Sequence, residues 1–420
     1  MWLGRLGENI TKKLPSCTGW TLALFLSGLF VSMHSWDRIC FLFNFDRQIL
    51  PWICGAGQGL TGLWIACRIC RFSRRISTVI AIFTLLTLIT AFAIIFPPLN
   101  RGEIYHGASD RDEGLNVATS ALLKGQYPYT ATGIVEASGS LVGPGGNPIS
   151  PLPGELILAA PFVALAGEGA WQNFFWLGVF WLSMALFSGN GKSFHAGPAT
   201  GALLLLLSSP TITGAEIMTG GDLLAISLAL LISCAWVQRA ERKVFIVISS
   251  ILCGLAIAAR PHFFMVLPLL FASLLYRRVT CPLYRIITVI VVSSGVTLPF
   301  WAFNPSGFSP LHAGRMVLKF SDVLAHPDRW LYGGLLITVI LLGYCIARGC
   351  MRLETAAGIL FLLPSVFFTV LASLQSGNPE WSYAFYGLTG WLFLIFAAWS
   401  YSVEGSKSTL DPDPYLRLVP

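Results

Sequence analysis

The sequence predicts an all-α membrane protein that crosses the bilayer about twelve times, and two observations carry that prediction. Hydrophobic residues make up 55% of the 420 residues, whereas charged residues make up only 11%, about half of what a soluble domain carries. Apolar runs of roughly 16 to 22 residues, the length of a helical span, recur from one end of the chain to the other. We therefore expect a single transmembrane domain over residues 1–420.

The predicted spans are the apolar runs themselves, with boundaries drawn where polar or charged residues interrupt them. In order along the chain they cover residues 18–33, 47–67, 77–97, 170–188, 198–213, 222–238, 244–259, 262–276, 286–303, 331–347, 355–373 and 387–402.

Basic residues cluster between alternate spans, which is the pattern of cytoplasmic loops in membrane proteins. With the N-terminus in the cytoplasm, all of the clusters fall on that side and both termini are cytoplasmic. The net charge of +7 therefore belongs to loops beside a membrane and does not indicate binding to nucleic acid. The clusters are Lys12 and Lys13; Arg71, Arg74 and Arg75; Lys192; Arg239, Arg242 and Lys243; Arg277, Arg278 and Arg285; and Arg348 and Arg352.

Three substantial loops then face the opposite, outer side: residues 98–169, 304–330 and 374–386. The first is the largest, and it contains an apolar stretch over residues 154–166 that is too short to span a bilayer. We predict that this stretch forms a re-entrant or interfacial helix. Residues 403–420 are expected to be a disordered cytoplasmic tail.

Residues 244–276 are apolar over a length that exceeds one span. As a single helix they would be about 50 Å long, against a hydrocarbon core about 30 Å thick. Because basic clusters flank both ends, we predict a hairpin with its turn near Arg260 and Pro261. Arg260 would then lie at or below the outer boundary of the hydrocarbon, where an arginine is costly unless it is paired or faces a cavity. An arginine that snorkels to the interface is the alternative interpretation.

The most informative segment of the first outer loop is DEGLNVATSALLKGQYPY, which begins at Asp112. Leu115, Ala118 and Leu122 recur at helical spacing and predict a short amphipathic helix over residues 109–125. Ser109 is placed to cap its start, and Gly125 fits its end. The acidic residues at its start have two interpretations: they complement the positive end of the helix dipole, or they carry chemistry.

An ordered series of motifs in this loop resembles the first outer loop of the GT-C superfamily of integral-membrane glycosyltransferases. Many bacterial members of that superfamily show an Asp-Glu pair, a short helix that ends in a Leu-Leu-x-Gly turn, a Pro-Tyr pair, and a proline-rich segment before the next membrane helix. Asn116 stands where many relatives have an aromatic residue. The matching motifs are Asp112-Glu113-Gly114, Leu122-Leu123-Lys124-Gly125, Pro128-Tyr129 and Pro151-Leu152-Pro153-Gly154.

The resemblance implies a GT-C-like bundle whose first outer loop is catalytic. The donor would be a polyprenyl-phosphate-linked sugar, and the acceptor a hydroxyl group of a glycan, lipid or protein. An aspartate of the loop would act as general base, with inversion at the sugar and without a metal or other cofactor. A carboxylate suits that task because a hydroxyl is a poor nucleophile until a positioned base takes its proton. The cell envelope, and a bacterial inner membrane in particular, is the expected location.

Candidate site residues follow from the loop motifs and the predicted topology. Asp112 is the expected base, with Asp110 and Glu113 as alternatives. Arg260 is the expected ligand of the donor phosphate, with His262 beside it. Asp222 is expected to cap a helix, and Glu216 in the same turn is a further candidate. Tyr127 and Tyr129 are expected to line the substrate site, and they fit an interfacial aromatic belt equally well. The other residues expected there are Asn147, Arg315, Lys319, Glu380, Trp381 and Tyr383.

Other classes of protein fit parts of the pattern. A transporter or lipid flippase predicts charges in mid-span and broken helices in inverted repeats, and an outer-face polymerase or ligase of lipid-linked glycans would also use outer arginines. A non-enzymatic scaffold fits if the acidic residues are only caps. The ten cysteines lie mostly in apolar runs, and the pair Cys67 and Cys70 has no second pair to complete a metal site.

Overall fold

The computed structural model describes residues 17–103, 109–131, 148–187 and 194–408, and within these ranges every regular element is helical. The predicted all-α class is confirmed. Shorter 3₁₀ segments cover Pro128–Thr130, Gly169–Trp171, Pro261–Met265, Ser309–Phe320 and Ala384–Gly387, and Thr211–Met218 is a π-helix. The α-helices are α1 (Cys17–Leu42), α2 (Leu50–Ile69), α3 (Arg74–Asn100), α4 (Asp110–Leu123), α5 (Pro153–Ala166), α6 (Gln172–Phe187), α7 (Ala196–Leu207), α8 (Leu223–Arg239), α9 (Lys243–Ile257), α10 (Val266–Tyr276), α11 (Pro282–Phe303), α12 (Pro327–Ala347), α13 (Leu353–Ser376) and α14 (Leu388–Ser408).

Membrane insertion is supported by four helices of the described ranges that are long and apolar enough to cross a bilayer: α3, α11, α12 and α13. The number becomes five if α7 and the π-helix, which meet at a bend of 78°, count as one broken span. The predicted bundle of twelve spans is not confirmed. Several predicted spans form shorter helices, such as α8 and α9, and an apolar run in the sequence does not reveal where its helix will end or bend.

Helix α8 forms the centre of the molecule. It is buried on all sides, because α6, α9 and α14 pack around it. By contrast, α3, α11 and α12 bury only small parts of their apolar surfaces and expose the rest. Apolar residues on every face are typical of a helix enclosed by others, and exposed apolar faces are what lipid-facing helices present.

The chain reverses its direction between α9 and α10, as the sequence predicts. Arg260 contacts Asp222 at the start of α8, whereas Ser273 of α10 donates a hydrogen bond to Gln238 near the end of α8, with 2.8 Å between Ser273 Oγ and Gln238 Oε1. The turn therefore lies at the Asp222 end of the bundle, and the predicted hairpin is confirmed.

Basic residues gather at the opposite end of α8. Arg239 pairs with Glu354 at 3.3 Å between Nη1 and Oε1. The Arg285 guanidinium donates to the carbonyl oxygens of Val237 and Ala240, where α8 ends. The two ends of the central helix thus carry separate buried charge clusters. Three lysines of the predicted cytoplasmic clusters lie outside the described residues: Lys12, Lys13 and Lys192.

A cap formed by α4, α5 and the Pro128–Thr130 turn covers the Asp222 end. Its own apolar cluster includes Leu115, Tyr129 and Leu156. Helix α5 has 14 residues, so the prediction of a helix too short to span is confirmed. Its start is fixed to the Arg260 turn, because the backbone N–H of Gly154 donates to the Ala258 carbonyl at 2.9 Å. A side chain at Gly154 would collide with that backbone.

Candidate functional site

The candidate site is a buried cluster of charged residues between the cap and the Arg260 turn. Helix α4 supplies Arg111 and Asp112, and α5 supplies Glu155. The π-helix supplies Glu216, and Asp222 lies between it and α8. All of the acidic residues in this group are fully or almost fully buried. Buried charges are stable only when they are paired or neutralised, so their contacts decide what the cluster does.

Local sequence signals determine where helix α4 begins and ends, and so place its charged residues at the cluster. Ser109 caps it as predicted, since its Oγ accepts from the backbone N–H of Arg111 at 3.3 Å. The Ser109 backbone N–H in turn donates to the Thr219 carbonyl at 2.9 Å, which ties α4 to the π-helix. Gly125, with a φ of 71°, lies just beyond the last turn as predicted. The start and the end of α4 are therefore fixed by residues of its own sequence, and its start is joined to the π-helix.

Asp222 bridges two arginines and does not cap its helix. Its Oδ1 lies 3.3 Å from Arg111 Nη1, and its Oδ2 accepts a hydrogen bond from Arg260 Nη2. The prediction that Asp222 caps α8 is wrong, because both carboxylate oxygens are held by guanidinium groups. Glu216 takes the capping role: its Oε2 accepts from the Leu224 N–H at 3.1 Å.

Each arginine also contacts a second carboxylate. Arg111 Nη2 pairs with Glu216 Oε1 at 2.6 Å. Arg260 Nε lies 3.1 Å from Glu155 Oε2, an electrostatic contact without hydrogen-bond geometry, and Arg260 Nη1 donates to Ser150 Oγ at 2.7 Å. Two guanidinium groups are thus held by three carboxylates. An arginine at this position needs to be paired or to face a cavity, and Arg260 is paired, with Asp222 and Glu155.

Asp112 lies beside this ion-pair network, and its side chain is fully buried. Asn116 fixes its orientation. The amide Oδ1 of Asn116 accepts from the Gly169 N–H at 2.7 Å, and its Nδ2 donates to Asp112 Oδ2 at 3.2 Å and to Glu168 Oε2 at 2.5 Å. The second oxygen of Asp112, Oδ1, has no hydrogen-bond partner among the described residues.

Burial raises the pKa of Asp112 well above its usual range, and the nearby carboxylates of Glu168, Asp222 and Glu113 add to that rise. The hydrogen bond from Asn116 acts in the other direction. Burial likewise raises the pKa of Glu168. A raised pKa makes the ionised carboxylate a stronger base than an ordinary aspartate, which suits it to take a proton from a hydroxyl.

The three acidic candidates of α4 occupy different environments. Asp112 is buried in the cluster, Asp110 is exposed, and Glu113 is half-buried. Only Asp112 combines burial with proximity to Asp222. Burial and proximity therefore favour Asp112, although all three residues stay predictions as catalytic groups.

The remaining candidates lie at the edge of the cluster or beyond it. The Tyr127 hydroxyl donates to the Phe300 carbonyl at 3.0 Å and so attaches the cap to α11. The Tyr129 hydroxyl donates to the Pro151 carbonyl at 3.0 Å, within the cap itself. His262 packs against Phe361, with 6.0 Å between ring centroids. Asn147 lies outside the described residues.

The candidates of the later loops form a separate group. Lys319 donates a hydrogen bond to the Tyr383 hydroxyl and lies 4.6 Å from the centre of that ring. The backbone N–H of Glu380 donates to Ser373 Oγ at 2.9 Å. The side chain of Arg315 lies outside the described part of the chain.

The sequence interpretation missed Arg111, Glu155 and Glu168 as members of the cluster. Glu155 had a usable signal, since it is a lone acidic residue in an apolar stretch, and such residues deserve a functional hypothesis by default. Glu168 carries no such signal. It joins the site only because Asn116 reaches it from α4, 52 residues away in the chain.

The chain matches no known protein-family model, no curated protein and no solved structure. The site geometry must therefore carry the functional argument. Within the described ranges, no group of three or more His, Cys, Asp or Glu side chains is arranged to hold a metal ion.

Access to the cluster is restricted. The Arg111 side chain keeps 19% of its surface exposed and the Arg260 side chain 10%, and Arg111 lies over the ring of Phe385 at 5.1 Å. An open cavity of about 470 Å³ is lined by Trp381, four residues before Phe385, but Asp112 and the two arginines do not line it. A second cavity, of about 360 Å³, lies between α10 and α11 and is apolar. The cluster, not either cavity, holds the groups that can perform acid–base chemistry.

Proposed function

We propose that the chain is an integral-membrane glycosyltransferase of the GT-C type, which moves a sugar from a polyprenyl-phosphate donor to a hydroxyl group of a glycan, lipid or protein. The observation that carries the proposal is the Asp112 carboxylate. It is buried, it is oriented by Asn116, and its Oδ1 has no partner among the described residues. Asp222, which pairs with both arginines, lies close enough to raise the pKa of Asp112.

In the proposed reaction Asp112 acts as the general base. Its Oδ1 takes the proton of the acceptor hydroxyl, and the acceptor oxygen forms a bond to the anomeric carbon of the sugar. The bond between that carbon and the phosphate oxygen breaks, its electron pair stays on the lipid phosphate, and the configuration at the carbon inverts. No metal or other cofactor enters this scheme.

The arginines supply the cationic half of the proposed site. A lipid phosphate that gains negative charge as it leaves is stabilised by guanidinium donors in a water-poor environment. Arg260 is the proposed phosphate ligand, and Arg111, which is more exposed, is placed to share that role. Because carboxylates neutralise both groups in this structure, the phosphate would replace a carboxylate at one of them.

The proposed orientation puts the cluster at the outer or periplasmic face of a bacterial inner membrane and both termini in the cytoplasm. It is supported by the separation of charges along α8. The acidic cluster lies at the Asp222 end, and the basic residues Arg239 and Arg285 lie at the other. Positive charge is enriched on the cytoplasmic side of membrane proteins.

The decisive experiment compares two identical substitutions made two residues apart. Purified wild type, Asp112→Asn and Asp110→Asn are placed in lipid nanodiscs, and transfer of radiolabel from a set of polyprenyl-phosphate sugars to cell-envelope lipid and glycan fractions is measured. We expect Asp112→Asn to lose about 10²- to 10⁴-fold in rate, the contribution of a general base, and exposed Asp110→Asn to stay near wild type. Full transfer by Asp112→Asn would remove Asp112 from the mechanism.

A second variant tests the phosphate half. Arg260→Ala is expected to weaken saturation by the donor more than it weakens saturation by the acceptor, because the guanidinium is proposed to contact only the donor phosphate. Donor saturation that matches wild type would remove Arg260 from the site. Circular dichroism and size-exclusion profiles of each variant establish that it is folded.

A lipid-sugar transporter is the second candidate, and the bend of 78° between α7 and the π-helix favours it. Broken helices with charges at the break are typical of transporters, and Glu216 lies within the π-helix. Proteoliposomes loaded with a fluorescent polyprenyl-phosphate sugar separate the two functions. Movement of the lipid between leaflets without acceptor indicates transport, whereas label on the acceptor without such movement indicates transfer.

A further inference from the structure

The larger cavity lies outside the charged cluster, at the end of α13. It is a shallow, largely open depression of about 470 Å³, and its lining includes Trp52, Ser373, Asn378 and Trp381. Trp381 belongs to the segment that continues to Phe385, over which the Arg111 guanidinium lies. The cavity and the charged cluster therefore share one continuous segment of chain.

Two tryptophans meet at a right angle on this cavity. The rings of Trp52 and Trp381 have centroids 5.0 Å apart and planes inclined at 85°. Trp381 is also held from α1, because the ring of Phe30 lies 6.4 Å away at 76°. Trp52 keeps 44% of its surface exposed. An exposed indole beside a cavity presents a broad apolar face that a flat ligand can cover.

The rest of the lining includes an irregular polar turn. Gly377, with a φ of 69°, ends α13 in the left-handed conformation, and Asn378 and Pro379 follow it. The Ser373 hydroxyl accepts from the Glu380 N–H at 2.9 Å and so fixes the turn. Ser376 Oγ accepts from the Asn378 N–H and donates to the Asn378 carbonyl. Irregular backbone that is exposed in this way lies in water or against polar partners and does not face hydrocarbon. This turn argues against a lipid chain as the occupant.

A sugar ring matches both the indole rings and the polar turn. Its C–H faces are apolar and cover an indole, and its hydroxyl groups project from the edge toward amide and carbonyl partners such as those of Asn378 and Pro379. We propose that this cavity is a saccharide-binding subsite, formed by Trp52, Trp381 and the Gly377–Pro379 turn. The inference rests on the proposed function only in taking the bound saccharide to be the acceptor.

The test measures saccharide binding without a donor. The full-length protein in nanodiscs is titrated with maltose, lactose, chitobiose and mannobiose, and binding is followed by saturation-transfer difference NMR. We expect at least one disaccharide to bind saturably. Trp52→Leu and Asn378→Ala should each weaken that binding, the former by on the order of tenfold. The matched control is Trp330→Leu, which removes a tryptophan that is 64% exposed and does not line the cavity.

The outcomes separate the alternatives. Binding that is weakened by Trp52→Leu and unaffected by Trp330→Leu supports the subsite. The proposal is overturned if none of the four disaccharides binds, if both tryptophan variants weaken binding equally, or if farnesyl phosphate displaces the saccharide, which would indicate a prenyl chain in the cavity. Because no transfer is measured, a failed transfer assay leaves this result standing, and failed saccharide binding leaves the transferase proposal standing.

Discussion

Replacing Asp222 with Asn tests whether the charged cluster is held together as one unit. The substitution keeps the shape of the side chain and removes the charge that bridges Arg111 and Arg260. Breaking a buried ion pair typically costs about 3–5 kcal/mol, because it leaves a buried charge without its partner. Each arginine here keeps one other carboxylate, Glu216 or Glu155. We therefore expect a loss near the lower end, about 3 kcal/mol.

The assay is equilibrium unfolding in mixed micelles, followed by circular dichroism, within a double-mutant cycle that adds Arg260→Met. The two substitutions should be less costly together than the sum of their separate effects, with a coupling energy of about 0.5–3 kcal/mol. Asp322→Asn is the matched control, since Asp322 is exposed. A loss below about 1 kcal/mol for Asp222→Asn, or strictly additive effects in the cycle, would refute the bridging role.

Three further outcomes follow from the geometry. Burial raises the native pKa of Asp112 above its ordinary value of 3.8, so over that interval the folded chain holds a proton that the unfolded chain releases. Stability should therefore fall as pH rises from 3.8 through the native pKa. Asp112→Asn should flatten that fall in a series of melting temperatures between pH 4 and 8. Glu354→Ala should cost about 1–3 kcal/mol, because it removes the buried carboxylate that pairs with Arg239. Arg101→Ala, at an exposed ion pair, should change stability by less than about 1 kcal/mol; equal losses in denaturant titrations would contradict this. Gly154→Ala should destabilise the folded protein by about 1–3 kcal/mol, because its new methyl group meets the backbone of Ala258. The control is Gly178→Ala, whose methyl group meets nothing within 4 Å and which should be neutral or stabilising in thermal melts.

Local features were predictable from the sequence because local signals determine them. The cap at Ser109, the end of α4 before Gly125 and the reversal near Arg260 each depend on residues within a few positions of one another. The helical class follows from composition alone. The span count does not, because an apolar run looks the same whether its helix is straight, short or bent, as α7 and the π-helix show.

The assembly of the cluster was not predictable, because its contacts join distant parts of the chain. Arg111 reaches Asp222 across 111 positions, and no pattern in either segment encodes the partner. The error at Asp222 has the same origin. An aspartate at a helix start predicts a cap by propensity. Here guanidinium groups hold both oxygens of its carboxylate, and Glu216 accepts the hydrogen bond from the Leu224 backbone N–H.

Helix α8 sets the spacing between two ion pairs. Its ends are held by ion pairs at Asp222 and at Arg239, about 25 Å apart at the helical rise. Inserting a single residue within α8 would turn one end by about 100° relative to the other. Both ion pairs could not then form, so the length and rotational phase of this one helix set the distance between the two charged ends of the protein.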